Sequence, residues 1–381
     1  MFRRPALIAV CSALALAGLL PTGAGTRAAD RGPIRIGVML SMTGAGAAYG
    51  QMEWIGINLA RKMVSRVLGR PIKLFLVDTR SEKIEAANAA NRLIKKNRVV
   101  AIIGPTISST SLAAAPIAEK ARVPMVSPSA TNPLVTQNRK YAFRTCFIDP
   151  FQGIVAARYA YQVLGKRRAA IIIDIAQDYS VGLAKFFEAE FKRLGGKVVA
   201  KAFCQSGDQD FNAQLSAIIP KKPDVLYLPN YYTEDALIAI QARQLRLRAP
   251  ILSGDGAQAM DLINIGKKAV EGFMLTGHFH PRSAATATAK KFIALFQKAH
   301  PDKTLTAFHA LGADAYLVLI DAIRRAGSID PVKIRAALAA TRRFEGVTGI
   351  ISIDRNGNAV KSAVILQVHK GKFIYKSTVN P

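Results

Sequence analysis

Two hydrophobic patterns alternate along the chain. Short apolar runs rich in β-branched residues read as strands, and longer stretches whose apolar positions recur every three or four residues read as helices. Ile34–Leu40 is the first strand, followed by the small-residue segment 44–50 and a helix through about residue 67. A strand at 72–77, a helix at 82–96, a strand at 99–103, a helix at 109–121 and a strand at 124–127 complete a first set. Strands this uniformly apolar, separated by helices, predict a parallel sheet covered on both faces. The rhythm restarts near 144–150, with helices at 152–164, 181–194, 211–219 and 234–245 and strands at 169–174, 197–203, 224–228 and 250–252. The tail differs. Helices at 284–298, Ala307–Ala326 and 331–341 precede strands at 350–353 and Ala363–His369, with Asp354-Arg355-Asn356-Gly357 read as the turn between these two. Three helices with no intervening strand do not build a third α/β unit. They are expected to cover the first two, so the chain should cross between units more than once.

A length of 381 residues agrees with two domains. Residues 1–29 carry Arg3 and Arg4, an apolar run over 7–20 and the small-residue stretch Thr26-Arg27-Ala28-Ala29, the order of a secretory signal cleaved near residue 29. Cys11 follows Val10 where a lipid-attachment site wants a small residue, so a soluble exported protein is expected. The net charge of +28 raises nucleic acid as a partner. However, the basic residues are dispersed along helices (Arg61-Lys62, Lys95-Lys96, Arg324-Arg325, Arg342-Arg343), and export separates the chain from DNA. A solvated basic surface is the simpler reading, and weak attraction to an anionic membrane face is the alternative. Cys146 and Cys204 both fall near strand ends, and an oxidising compartment would permit one disulfide between them.

In open α/β sheets, ligands bind beyond the carboxyl ends of the strands. The first strand ends in Ser41-Met42-Thr43-Gly44-Ala45-Gly46, with Tyr49 and Gly50 following. The glycine spacing and Asp78 loosely resemble a dinucleotide fingerprint; the plainer reading is a turn that projects Tyr49 into a crevice. The third strand ends in Gly104-Pro105-Thr106-Ile107-Ser108-Ser109-Thr110, and the fourth in Ser127-Pro128-Ser129-Ala130-Thr131-Asn132. Either hydroxyl set could cap a helix, and two adjacent sets suit a small carboxylate. The second unit offers Gln177-Asp178-Tyr179, Asn230-Tyr231-Tyr232 and Gly254-Asp255-Gly256. Asp255 either finishes a turn or meets an ammonium across the cleft. His278-Phe279-His280 is the only close histidine pair, without acidic or cysteine ligands beside it, so no metal is expected. No Gly-x-Ser-x-Gly elbow or P-loop is present, and nothing asks for an enzyme or a cofactor.

The strand Ile34-Arg35-Ile36-Gly37-Val38 with Tyr49-Gly50, the Ile103-Gly104-Pro105 and Ser127-Pro128-Ser129-Ala130-Thr131 segments, Asp149-Pro150-Phe151-Gln152-Gly153, Gln177-Asp178-Tyr179-Ser180-Val181-Gly182 and Gly254-Asp255-Gly256 carry a resemblance. Together they resemble periplasmic substrate-binding proteins of the leucine/isoleucine/valine-binding type. The resemblance implies an α/β, two-lobed type I periplasmic binding protein fold, each lobe a mainly parallel sheet flanked by helices, joined by three hinge crossings. On that pattern residues 30–147 plus 279–350 form the first lobe, and 148–278 plus 351–381 the second. It also implies a periplasmic monomer that delivers a small amino acid to an ABC transporter permease. Carried over by position, Ser108 and Thr131 would hold the ligand carboxylate. Thr131 and the Ser129 carbonyl would help receive the ammonium that Asp255 meets, and Tyr49, Tyr179 and Tyr231 would wall the pocket. Thr106 and Ile107 depart from an apolar–cysteine pair seen in some members, and Asp255 is shorter than the Glu of some branched-chain binders. Ala310 and Ala313 stand where a bulky pocket aromatic can occur. Two other readings stay open: a sensor of amides or aromatic acids on the same fold, and an NAD(P)-dependent oxidoreductase using 44–50 and Asp78.

Overall fold

The computed structural model describes residues 32–381, so the proposed signal segment and Cys11 lie outside the described residues. Six strands form the first sheet: β1 (Ile34–Leu40), β2 (Arg66–Val67), β3 (Arg70–Asp78), β4 (Ala101–Ile103), β5 (Met125–Ser127) and β6 (Ala142–Arg144). Their order is β2-β3-β1-β4-β5-β6, parallel throughout except for β2, a short antiparallel arm on β3. Helices α1 (Ala47–Met63), α2 (Lys83–Asn91) and α3 (Ser108–Ala121) connect them. Alternate residues of a strand face opposite sides of its sheet. Ile34, Ile36, Val38 and Leu40 accordingly enter the apolar cluster that includes Ile57 and Leu59 of α1, while Met39 enters the one formed with α2 and α3. That division is why β1 lacks an exposed face.

The second sheet is built from β7 (Arg168–Asp174), β8 (Lys197–Cys204), β9 (Val225–Leu228), β10 (Ile251–Ser253) and β11 (Met274–Gly277). Its helices are α4 (Asp149–Arg158), α5 (Asp178–Arg193), α6 (Asn212–Ile218), α7 (Tyr232–Gln244) and α8 (Met260–Gly266). The tail adds α9 (Ala287–Ala299), α10 (Ala307–Ala326) and α11 (Pro331–Ala339), then a small antiparallel sheet of β12 (Phe344–Gly346), β13 (Gly349–Ile353) and β14 (Ala359–Val360). Finally β15 (Ala363–His369) and β16 (Lys372–Val379) extend the second sheet, whose order is β16-β15-β11-β10-β9-β7-β8. The chain therefore crosses between the sheets three times, after β6, after β11 and between β14 and β15.

The turn at 354–357 closes β13 onto β14 rather than onto the strand at 363–369. The Asp354 N–H donates to the Asn358 carbonyl (2.8 Å), and the β13–β14 ladder lasts for two residue pairs before the chain leaves for the second sheet. Ile351, Ile353 and Ala359 share the apolar cluster of β1 and α10, so the stretch 351–360 packs with the first lobe, where the sequence had suggested the second. Cys146 and Cys204 are separate buried thiols rather than a disulfide pair.

One helix crossing places the site. Helices α1 and α10 touch backbone to backbone. A Cβ on Gly56 would sit 1.9 Å from the His309 carbonyl oxygen, and one on Gly312 would sit 2.3 Å from that of Glu53. Only glycine allows this approach, and it sets Tyr49, Glu53 and Phe308 side by side.

Candidate functional site

The carboxyl ends of both parallel sheets converge on one small cavity between the lobes. Its lining combines Tyr49, Thr106, Ile107, Ser108, Ser129 and Phe308 from the first lobe with Tyr179, Tyr231 and Asp255 from the second. Seven of the residues singled out from the sequence thus meet at one place, and Thr131 does not. Thr131 is buried with its hydroxyl turned toward Asp149, while its carbonyl accepts from the Asp149 N–H at 3.0 Å. Buried Arg144 fixes this loop by donating to the carbonyls of Ala130 (2.5 Å) and Asn132 (2.8 Å).

The first wall is a set of donors. No side chain caps α3 at its start, although serine and threonine crowd there. Ser108 instead accepts from the Asn132 N–H (3.2 Å), and Ser109 accepts from the Asp178 N–H across the cleft (3.1 Å). The first-turn N–H groups of α3 are therefore left for another acceptor, and a helix N-terminus favours an anion. Behind this wall lies Glu53, which the sequence reading passed over. It is fully buried, accepts from the Thr106 hydroxyl (2.7 Å) and lies in hydrogen-bond contact with the Ser129 hydroxyl, and burial pushes its carboxyl up to about 8. An acid on the otherwise apolar or small face of α1, among Tyr49, Gly50, Gly56, Ile57 and Ala60, was the available signal.

The opposite wall is organised around Asp255. Its carboxylate accepts from the Tyr179 hydroxyl (2.9 Å) on one oxygen and meets His278 Nε2 (2.8 Å) on the other. Burial lowers the basicity of His278, so the neutral ring donates through Nε2, and its Nδ1 has no partner. The imidazole stacks on Phe147 (centroids 3.7 Å apart), joining two hinge crossings to the acid. The glycines flanking Asp255 give Tyr179 its approach, because a Cβ on Gly254 would lie 2.3 Å from that hydroxyl. Gln152 accepts from the Asp255 N–H (2.8 Å) and from the Thr276 hydroxyl (2.7 Å), holding the loop.

Aromatic rings close the remaining sides. Tyr49 stacks on Phe308 (4.4 Å) and meets Tyr231 edge-on (5.5 Å), and Tyr231 stacks on Tyr179 (5.5 Å). The Tyr49 hydroxyl donates to the Gly256 carbonyl, a bond between the lobes. Lys83 to Asp178 (3.0 Å) and Asn132 to the Asp178 carbonyl (2.7 Å) are others. Phe308 supplies the bulky aromatic wall expected to be missing near Ala310 and Ala313, both of which pack in the core.

The competing chemistries lose their residues to structure. Asp78 accepts from the Met42 N–H (2.9 Å), the Thr43 hydroxyl (2.7 Å) and the Arg80 N–H (2.8 Å), so it ties its own loop. His280 accepts from the Arg282 N–H and contacts the Phe373 carbonyl, apart from the His278–Asp255 pair. No cluster of metal-ligating side chains occurs among the described residues.

Comparison with known proteins places the chain in the same setting. The family model described as periplasmic binding protein matches residues 33–372. An amino acid binding protein of Pseudomonas aeruginosa is 30% identical over 73% of this chain and 79% of its own length. The crystal structure of a leucine-binding protein from Thermotoga maritima superposes with a TM-score of 0.89 at 51% identity, covering 91% of this chain and 99% of that one. A branched-chain amino acid transporter substrate-binding protein from Streptococcus pneumoniae, solved with isoleucine, gives 0.86 at 32% identity over 92% and 100%.

Proposed function

Because the chain belongs to the periplasmic binding protein family, we propose that it is the solute-binding receptor of an ABC transporter, closing on a small branched-chain or other aliphatic amino acid. The reading is carried by one observation: the uncapped start of α3 with Ser108 and the carboxylate of Asp255 face the same small cavity from opposite lobes. Such walls suit the two ends of a zwitterion. Charge-assisted hydrogen bonds contribute roughly 1.5–3 kcal/mol each, and a few of them with an apolar slot reach about −8 kcal/mol, micromolar affinity. The family is one of binding proteins rather than catalysts, and the cross-lobe bonds suit capture by closure. Among the described residues no helix is long and apolar enough to cross a membrane. Release into the periplasm and delivery of the ligand to a permease complete the proposal.

The test is a thermal-shift screen followed by calorimetry with L-leucine, L-isoleucine, L-valine and benzoate, an acid without an ammonium. Branched-chain amino acids should raise the melting temperature, and Asp255→Ala should remove most of their affinity. Stabilisation by benzoate alone would favour the aromatic-acid sensor instead.

A further inference from the structure

Glu53 lies on α1, one turn beyond Tyr49, beneath two hydroxyls that line the cavity. Among the described residues no charged group pairs with it. The titratable groups on the elements around it are engaged elsewhere: Tyr49 with Gly256, His309 of α10 with Thr306, Asp314 of α10 with Val347 and Thr348, and Arg144 of β6 with Ala130 and Asn132.

The Ser129 hydroxyl has one proton and donates it to the Thr106 carbonyl at 2.7 Å, since a carbonyl can only accept. The Thr106 hydroxyl accepts from the Ser41 N–H (3.1 Å) and gives its proton to Glu53 Oε2 (2.7 Å). The close contact between Ser129 Oγ and Glu53 Oε1 is then left with no hydrogen unless Glu53 supplies it.

We propose that Glu53 is a positioning residue held as the neutral acid: it donates to Ser129, whose own proton stays on the Thr106 carbonyl, and keeps the anion-receiving wall uncharged. An ionised Glu53 would capture the Ser129 proton and set a negative charge behind the very wall that receives a negative group. The inference rests on the reading of the ligand as an amino acid. It deepens that reading by making selection of a carboxylate depend on a group that never touches it.

The experiment is calorimetry with L-leucine on the wild-type protein and Glu53→Gln across pH 7 to 9. The glutamine amide can reproduce one donor and one acceptor but cannot ionise. With the Glu53 carboxyl pushed up to about 8, only its protonated fraction binds, so the wild-type Kd should rise about tenfold between pH 7 and 9. Glu53→Gln should show only the small loss due to the ligand's own ammonium. Equal slopes in the two proteins would overturn the inference. Infrared difference spectra supply a second readout: the part of the protonated-carboxyl signal at pH 7 that fades by pH 9 and is lost in Glu53→Gln supports it, and identical spectra from the two proteins overturn it, since Asp149, also pushed up to about 7 by burial, contributes equally to both. If the wild-type protein binds no amino acid at any pH, the proposed function fails, and the infrared band still decides whether Glu53 is neutral.

Discussion

The Tyr49 hydroxyl, carried by the first lobe, donates to the Gly256 carbonyl on the second, one residue beyond the acid that faces the cavity. A ligand shifts the balance between open and closed forms only by its differential affinity for them. Bonds that exist only when the lobes meet therefore enter the apparent affinity directly.

Tyr49→Phe keeps the ring stacked on Phe308 and removes this bond together with the longer one that the hydroxyl accepts from the Tyr232 N–H (3.4 Å), also across the lobes. A neutral hydrogen bond contributes about 0.5–1.5 kcal/mol, so the Kd for L-leucine should rise by between about two- and tenfold. Calorimetry checks the affinity. Fluorescence of Trp54, the single tryptophan, which is partly buried on α1, reports closure. An unchanged Kd would remove Tyr49 from the closure energetics.

Arg144→Met tests the loop behind Ser129. The guanidinium is fully buried, and its loss takes a charged donor from two buried carbonyls, leaving Ala130 only the weak Cys146 thiol. At about 1–3 kcal/mol for each orphaned group, the expected destabilisation is about 2–6 kcal/mol in urea unfolding. Binding should weaken as well, because Ser129 adjoins the freed segment.

His278 predicts behaviour on the acid side. Its basicity in the folded protein lies below the ordinary histidine value of 6.5, chiefly through burial. Above that pH both folded and unfolded forms are neutral, so nothing changes. Below it the unfolded chain takes up a proton that the folded chain refuses, so stability falls as pH drops. Melting temperatures measured from pH 7 to 5 should decline less steeply in His278→Asn than in the wild type, and parallel curves would show that another group governs the acid limb.

The elements legible from sequence were those whose pattern is local. The strand Ile34–Leu40 and the helix Ala307–Ala326 appear with the bounds their apolar spacing suggested. Strand β11 was not expected, and one of its partners, β15, lies far off in the chain; β6 and β16 were missed beside near neighbours, β6 on β5 and β16 in a hairpin with β15. The site divides the same way. Strand ends named the rim residues, since a parallel sheet must deliver them to one edge. Phe308 and His278 come from elements that reach the site only through helix crossing or hinge geometry, which no local signal states, whereas Glu53 was marked only by its place on the apolar face of α1. Thr131 shows the converse: the right segment was identified, but Arg144 and Asp149 turn that residue away from the cavity.

The glycine contact between α1 and α10 has a mechanical consequence. With carbonyls of each helix seated where a side chain would otherwise stand, the two cannot slide or roll on one another without a backbone collision. Tyr49, Glu53 and Phe308 therefore travel as one rigid slab, keeping their mutual spacing whether the cleft gapes or shuts. The receptor thus meets its ligand with half of its grip already shaped.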